Sequence, residues 1–478
     1  MKKWMIRALS ALLIAAFLPV SVLADEYDLN EGSVTVSTTK GADGSTQQKV
    51  THKDNTKPDS NPTITSNGQE TGHTITINAG AGTTANVTIK DANISASSGK
   101  AAIKTGGEGN VNLNVEGTNT VSSGSNYAGV EKANAGNLTI GSESGSGELT
   151  ANGGWHGAGI GGGHYRDAND ITITGGEVTA NGGDGAAGIG GGYYSYGKNI
   201  TISGGKVVAN GSGSAAGIGG GHYGNGSNIT ISGGEVTATG GDYGAGIGGG
   251  YYGNGSNITI SGGEVTATGG DCGAGIGGGY GRGGSNIAIS KDSQVEAVGG
   301  AVGGAGGSSD GCGAAIGNGG NNNRVNGSEI EPDTSGLYTT GKVERKRGDG
   351  TVLDTIIGTV EPPVEPEKSA SSEEEPDKRE PLYRVLNLDG SSLKHQAQKA
   401  DGVLALTAKA DGAILTGTLR ALGYLQNQGI EKITFTDGTH SAELVLAELI
   451  AKGQPEDVYV LTLGAENTLT LNGEAIDF

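Results

Sequence analysis

The residues best suited to recognise a ligand are rings that recur at a fixed interval. His164-Tyr165, Tyr193-Tyr194, His222-Tyr223 and Tyr251-Tyr252 follow one another every 29 residues, and Tyr280 stands alone one interval later. Aromatic residues make up only 4% of the chain, so their concentration at one register sets it apart. A tyrosine offers an apolar face and a hydroxyl, a combination that stacks on a sugar ring while hydrogen-bonding its rim. Tyr165, Tyr194, Tyr223 and Tyr252 are the leading carbohydrate-binding candidates, with His164, Tyr193, His222 and Tyr251 beside them. The competing reading is structural, since rings repeated along a stack cover one another and seal a turn without any ligand.

Carboxylates recur as well. Asp242 and Asp271 share a register with Asp184 two intervals earlier, while Glu177, Glu235 and Glu264 share another that Lys206 interrupts. Columns of oxygen ligands suit a hard cation, which makes calcium the candidate cofactor and Asp184, Asp242 and Asp271 its candidate ligands. A solvated edge of like charges is the alternative. Cys272 and Cys312 each stand four residues before the isoleucine of a glycine motif, Ile276 and Ile316. Equal register in successive turns predicts a disulfide between them, worth about 3–4 kcal/mol, with free thiols as the alternative.

Catalysis is poorly provided for. Cleaving a polysaccharide takes one focused set of acid and base, or a cation with Lys or Arg. Here each candidate acid is replicated, and the nearby bases are sparse, chiefly Arg166, Lys198, Lys206 and Arg282. Replication suits avidity along a polymer, so the chain reads as a non-enzyme. His156 and His164 lie near Trp155 but lack a third metal ligand, and read as surface polar residues. Gly157-x-Gly159-x-x-Gly162 formally matches the dinucleotide fingerprint. It recurs in every interval with no helix after it, whereas that fingerprint belongs to one strand-turn-helix setting.

The elements that carry these residues are repeats. Glycine supplies 95 of 478 residues, without the three-residue period of collagen. The segment Ala-Gly-Ile-Gly-Gly-Gly recurs with its isoleucines at Ile160, Ile189, Ile218, Ile247 and Ile276, a 29-residue period that signals a solenoid. Each period holds two alternating runs, such as Asn228 to Ser232 and Glu235 to Thr239, punctuated by glycine pairs. Alternation with glycine breaks means strands and turns, and a parallel β-helix with one coil per period fits. Ile200 and Ile202 then face inward and Thr201 outward, with equivalent residues about 4.8 Å apart along the axis. An Asn-apolar-polar-apolar signature begins at Asn86, Asn110, Asn137, Asp170, Asn199, Asn228, Asn257 and Asn286, and reads as an internal hydrogen-bonded ladder at a turn.

Four segments follow. Residues 1–24 read as an export leader, with basic Lys2, Lys3 and Arg7, apolar Ala8 to Leu18 and a Val22-Leu23-Ala24 cleavage site. Residues 25–345 form the β-helix, 361–381 a stiff acidic proline-rich linker, and 382–478 a small α+β accessory domain. In that domain strands are expected at Val403 to Thr407, Lys432 to Thr436, Val458 to Leu463 and Thr468 to Leu471. One helix should carry Ile414, Leu415, Leu419 and Leu422, and a second should run from Ser441 to Ala451. The fold class is thus all-β, a parallel β-helix with 29-residue coils followed by the α+β domain. No other apolar run approaches the ~20 residues of a membrane helix, so the expectation is a monomer, secreted or held at the cell surface, without membrane insertion after leader removal. A net charge of −20 is the wrong sign for binding nucleic acid.

From about Asn78 to Gly320 the chain resembles the secreted, repeat-bearing carbohydrate-binding β-helix proteins of anaerobic Gram-positive bacteria. The resemblance is carried by Asn110 to Thr120 with its Glu-Gly-Thr-Asn-Thr turn, by Asn137-Leu-Thr-Ile140, and by Ala-Gly-Ile-Gly-Gly-Gly ahead of Asn-Ile-Thr-Ile-Ser-Gly-Gly. It implies a right-handed β-helix, binding of plant cell-wall or acidic polysaccharide, bound calcium and no need for catalysis. The leading expectation is a non-catalytic polysaccharide-binding or adhesion protein. A polysaccharide lyase or glycoside hydrolase of β-helix type, and a structural stalk displaying residues 382–478, are the alternatives.

Overall fold

The computed structural model describes residues 25–301, 313–320, 326–361, 383–389, 391, 393–400, 402–427, 430–454, 457–465 and 467–476. Residues 1–24, expected as a leader, and residues 362–381 of the expected linker lie outside the described residues. The chain divides into two compact units, residues 1–364 and 365–478.

The first unit is a parallel β-solenoid with three sheets of 10, 12 and 11 strands rather than two alternating runs per coil. A representative coil starts in the second sheet at Ile218–Gly219 and turns through His222-Tyr223 into the first sheet at Gly226–Ile231. It then turns at Ser232-Gly233-Gly234 into the third sheet at Glu235–Thr239, and passes Asp242 to regain the second sheet at Ile247–Gly248. The second-sheet strand is only two residues long here, too short to show alternation, which is why the sequence reveals two strands per coil and not three.

Registry is in phase from coil to coil. Ile200 pairs with Ile229, Ile202 with Ile231, Val207 with Val236 and Ile218 with Ile247, and all these side chains are fully buried or nearly so. Each buried aliphatic side chain contributes roughly 1.5–3 kcal/mol, so the core is a continuous column with little aromatic content. The glycine after each isoleucine is a steric requirement. Gly219 has φ of +133°, and a Cβ there would lie 2.1 Å from the Gly248 carbonyl oxygen of the next coil.

The asparagine row forms a ladder, but on the outside. Asn199 Nδ2 donates to Asp170 Oδ1 at 2.9 Å, Asn228 to Asn199, Asn257 to Asn228 and Asn286 to Asn257 each at 3.0 Å, with Asn199 to Asn286 exposed. Asp170 and these four asparagines have φ between 51° and 58°, a left-handed kink that Asn and Asp tolerate and that swings the side chain out of the strand. Every bond points the same way, so the terminal Asp170 needs only to accept. In the early coils Asn86 pairs with Asn112 rather than Asn110. A second ladder, Asn210 to Asn181 to Asn152 to Ser122, runs down the third sheet.

Antiparallel strands are added at one end of the second sheet and at the opposite end of the third. Thr46–His52 and Asn55–Pro58 add antiparallel strands beyond Val34–Lys40. At the other end Val352–Ile357 pairs antiparallel to Lys342–Lys346, held by buried Arg345 on Asp354 and on Glu331 at 3.1 Å. Glu329 accepts from the Ala315 and Ile316 amides at 2.6 and 3.1 Å, closing the last second-sheet strand. Such covers block edge-to-edge association.

The second unit has two sheets, of five and four strands, around Leu415, Phe435, Tyr459 and Leu461. Its strands Lys432–Thr436, Val458–Leu463 and Thr468–Leu471 lie where expected, and the first extends to Val403–Ala408. The helices are shorter. Ile414 and Leu415 belong to strand Ala413–Thr418, and the helix is Leu419–Asn427. Likewise Ser441–Val445 is a strand and only Leu446–Ile450 is helical. Pairing with neighbouring strands captures segments whose local pattern also suits a helix turn. No helix among the described residues is long and apolar enough to cross a membrane.

Candidate functional site

The ring-bearing turn joins the second sheet to the first, and it holds two columns of different character. In the outer column Tyr165, Tyr194, Tyr223 and Tyr252 are 68, 45, 43 and 37% exposed. Their planes are within 13° of parallel and successive centroids are 5.6, 5.3 and 5.8 Å apart. These separations exceed the ~3.5–4.0 Å of face contact, so the rings are offset past one another as a staircase, and the Tyr194 and Tyr252 hydroxyls hydrogen-bond those of Tyr193 and Tyr251. His164 lies 3.9 Å from Tyr165 at one end, and the Arg282 guanidinium 5.7 Å from Tyr252 at the other.

The backbone under these four tyrosines is unusual. Their φ angles are 58, 60, 58 and 52°, in the left-handed region where a bulky side chain costs roughly 1–2 kcal/mol. At the same register of the next coil stands Gly281, with φ of +66°. Glycine therefore fits this position, yet four coils in succession carry tyrosine.

The inner column is a seal. Tyr193, His222, Tyr251 and Tyr280 stack at 5.0, 5.2 and 5.1 Å and meet the outer tyrosines largely edge-on. His164 does not head this column as its register implies. It leans onto Tyr165, and His156 from the neighbouring turn stacks on Tyr193 at 4.2 Å instead. The two turns are tied by the Tyr193, His222 and Tyr251 amides donating to the His156, Gly185 and Ser214 carbonyls. Burial depresses the pKa of His156 and His222, and burial followed by the adjacent tyrosine hydroxyl pushes Tyr193 and Tyr251 up to about 12. Both kinds of shift favour the uncharged form of the ring.

Five stretches, residues 144–164, 171–193, 200–222, 229–251 and 258–280, match the family model described as beta helix repeat. Over these stretches the coils are similar to beta helix repeats, in keeping with the parallel β-solenoid fold. No curated protein and no solved structure matches the chain. Each matched stretch ends on His164, Tyr193, His222, Tyr251 or Tyr280, and the residue that follows is the outer tyrosine in the first four and Gly281 in the last.

The aspartate column is looser than its register suggests. Gly213 occupies the coil between Asp184 and Asp242, so only Asp242 and Asp271 are neighbours. Burial, then the charge of Asp242, raises the Asp271 pKa. Among the described residues no three His, Cys, Asp or Glu side chains cluster as a metal site. In the glutamate column Lys206 bridges to Glu177 at 3.3 Å. Cys272 is disulfide-bonded, and Cys312 lies outside the described residues.

One titratable group breaks the repeat. Glu131 stands where the next coil has Gly161 and is 1% exposed. Its Oε2 accepts from the Ala128 amide at 3.3 Å, its Oε1 has no hydrogen-bond partner, and the nearest cation is Arg166 Nε at 3.9 Å. Burial raises its pKa. The acid in place of a repeat glycine was the available sequence signal for this residue; the roles of His156 and Arg282 had none, because each comes from a neighbouring turn or coil.

Proposed function

We propose that the chain is a non-catalytic, extracellular polysaccharide-binding or adhesion protein, with Tyr165, Tyr194, Tyr223 and Tyr252 as its binding surface. The observation that carries this reading is the left-handed tyrosine repeated in four coils at a position where the next coil uses glycine. Strained backbone conformations cluster where a side chain is needed for a task other than stability, and sealing the turn is already done by the inner column. Glu131 is the singular acid of the array, but its burial under the ring-bearing turn leaves no face for a substrate, which favours binding over cleavage.

The test is affinity electrophoresis of the leader-free chain through soluble plant and acidic polysaccharides, with calcium and with chelator, assaying the same samples for released sugars. Retardation without new reducing ends or unsaturated products supports the proposal. Cleavage would replace it by the enzyme reading. Neither retardation nor cleavage would leave the structural stalk.

A further inference from the structure

The amino-terminal edge of the first sheet contains a buried acid, Asp59, which is 2% exposed. Its Oδ2 accepts from the Tyr27 hydroxyl at 3.1 Å and from the Asp25 backbone nitrogen at 3.2 Å, and its Oδ1 accepts from the Asn61 amide at 3.0 Å. A phenol and two amides thus serve it, none of them charged. Burial, then the charge of Asp59, raises the Tyr27 pKa and favours the donating form of that phenol. Lys57 is the cation beside this turn, but its Nζ lies 2.5 Å from the Asp25 carboxylate and 5.2 Å from the centre of the Tyr27 ring. Among the described residues Asp59 itself has no ion pair. Neutral donors offset only part of the cost of taking a carboxylate out of water.

Asp25 is held at three points. Its nitrogen meets Asp59, its carboxylate meets Lys57, and its carbonyl accepts from the Thr63 amide at 3.0 Å. From there Glu26–Asp28 pairs in parallel with Thr63–Thr65 as the end strand of the first sheet. Asp25 is also the residue that follows the expected cleavage sequence Val22-Leu23-Ala24. The backbone atom facing the buried acid is therefore the one that cleavage would ionise. Hydrolysis there breaks the Ala24–Asp25 C–N bond, leaves the water oxygen on the Ala24 carbonyl carbon as a carboxylate, and turns the Asp25 nitrogen into an ammonium.

We infer that Asp59 is a binding site for the α-ammonium of Asp25, so that leader removal supplies the cation this carboxylate lacks and fastens the end strand of the first sheet. The uncleaved chain offers one amide N–H in that place. The cleaved chain offers a charged donor, and such hydrogen bonds are roughly twice as strong as neutral ones. The inference shares with the binding reading only the expectation of export.

Hydrogen exchange on chains 25–478, released from a fusion by a protease that leaves no extra residue, reads this directly. The comparison is with the same chain retaining Ala24, each with Asp59 and with Asp59→Asn. A free Asp25 terminus should slow exchange in Glu26–Asp28 and Thr63–Thr65 roughly five- to tenfold, and Asp59→Asn should bring that ratio close to one. Equal exchange in the two Asp59 chains, or a difference that survives Asp59→Asn, overturns the inference. Where Asp59→Asn loosens the strand in both chains, acylation of the Asp25 amine at pH 7 decides. It should be roughly tenfold slower in the folded Asp59 chain than in the urea-unfolded one, and an amine that reacts equally in both overturns the inference. Terminal sequencing of the full chain from a secreting host separates the two readings. A first residue other than Asp25 overturns this inference alone, and a chain retained uncleaved in the cell overturns the extracellular reading as well.

Discussion

Replacing an outer tyrosine by glycine should harm the fold less than replacing it by alanine, the reverse of the order at most ordered positions. The perturbation is Tyr194→Gly and Tyr223→Gly, compared singly with Tyr194→Ala and Tyr223→Ala. Either change removes two offset stacks within the outer column, worth about 0.5–1.5 kcal/mol each. Alanine retains the left-handed strain of roughly 1–2 kcal/mol, since φ is 60° and 58° at these sites. Glycine is free of it, at a cost of about 0.5–1 kcal/mol in unfolded-chain entropy. The balance favours glycine over alanine by about 0.5–1 kcal/mol per site. Urea unfolding followed by Trp155 fluorescence is the assay, because Trp155 is the one tryptophan after residue 24 and lies in the solenoid. Midpoints at equal m-value give the difference. Gly281→Ala is the control at the same register and should destabilise by about 1 kcal/mol, having strain to gain and no ring to lose. Alanine variants as stable as glycine variants, together with a neutral Gly281→Ala, would show that this turn relaxes freely and that the tyrosines carry no strain.

Burial raises the Glu131 pKa, so the folded chain holds that proton more tightly than the unfolded chain and stability falls as pH climbs above the ordinary glutamate range. Arg166→Gln should therefore cost about 1 kcal/mol at pH 7, discounted for the exposure of Arg166, and almost nothing at pH 4, read from urea midpoints at both pH values. Asn228→Asp removes the donor to Asn199 and sets a carboxylate against its Oδ1, which should cost about 1–2 kcal/mol, whereas Asp170→Asn at the accepting end should be neutral within about 0.5 kcal/mol. Arg345→Ala leaves Asp354, Glu331 and Glu329 without their buried partner, and hydrogen exchange should show protection lost from Lys342–Lys346 and Val352–Ile357, at a cost of about 2–4 kcal/mol.

Much of the solenoid was legible in the sequence because a coil touches chiefly the coils before and after it. A 29-residue period therefore states directly which residues meet. Ile218 lies over Ile247, Glu177 over Lys206 and Tyr194 over Tyr223, as the alignment of the chain on itself requires. Alternation within each run likewise determined that Ile200 and Ile202 face inward, since successive strand residues point to opposite sides.

What the tertiary structure alone decided concerns the path around a coil. Nothing in the period says that the turn holding His156 lies against the turn holding Tyr193, or that His164 would yield its place to His156 and cover Tyr165. Nor does it say that two-residue strands such as Ile218–Gly219 build the second sheet, bringing those turns together. The asparagine ladder is evident in the sequence as a register, but its outward side is not, because the left-handed backbone at Asn199, Asn228, Asn257 and Asn286 breaks the strand alternation that separates inside from outside. Periodicity records neighbours along the axis. Closure of each coil is set by dihedral angles at a few residues, and these become fixed only when the core is packed.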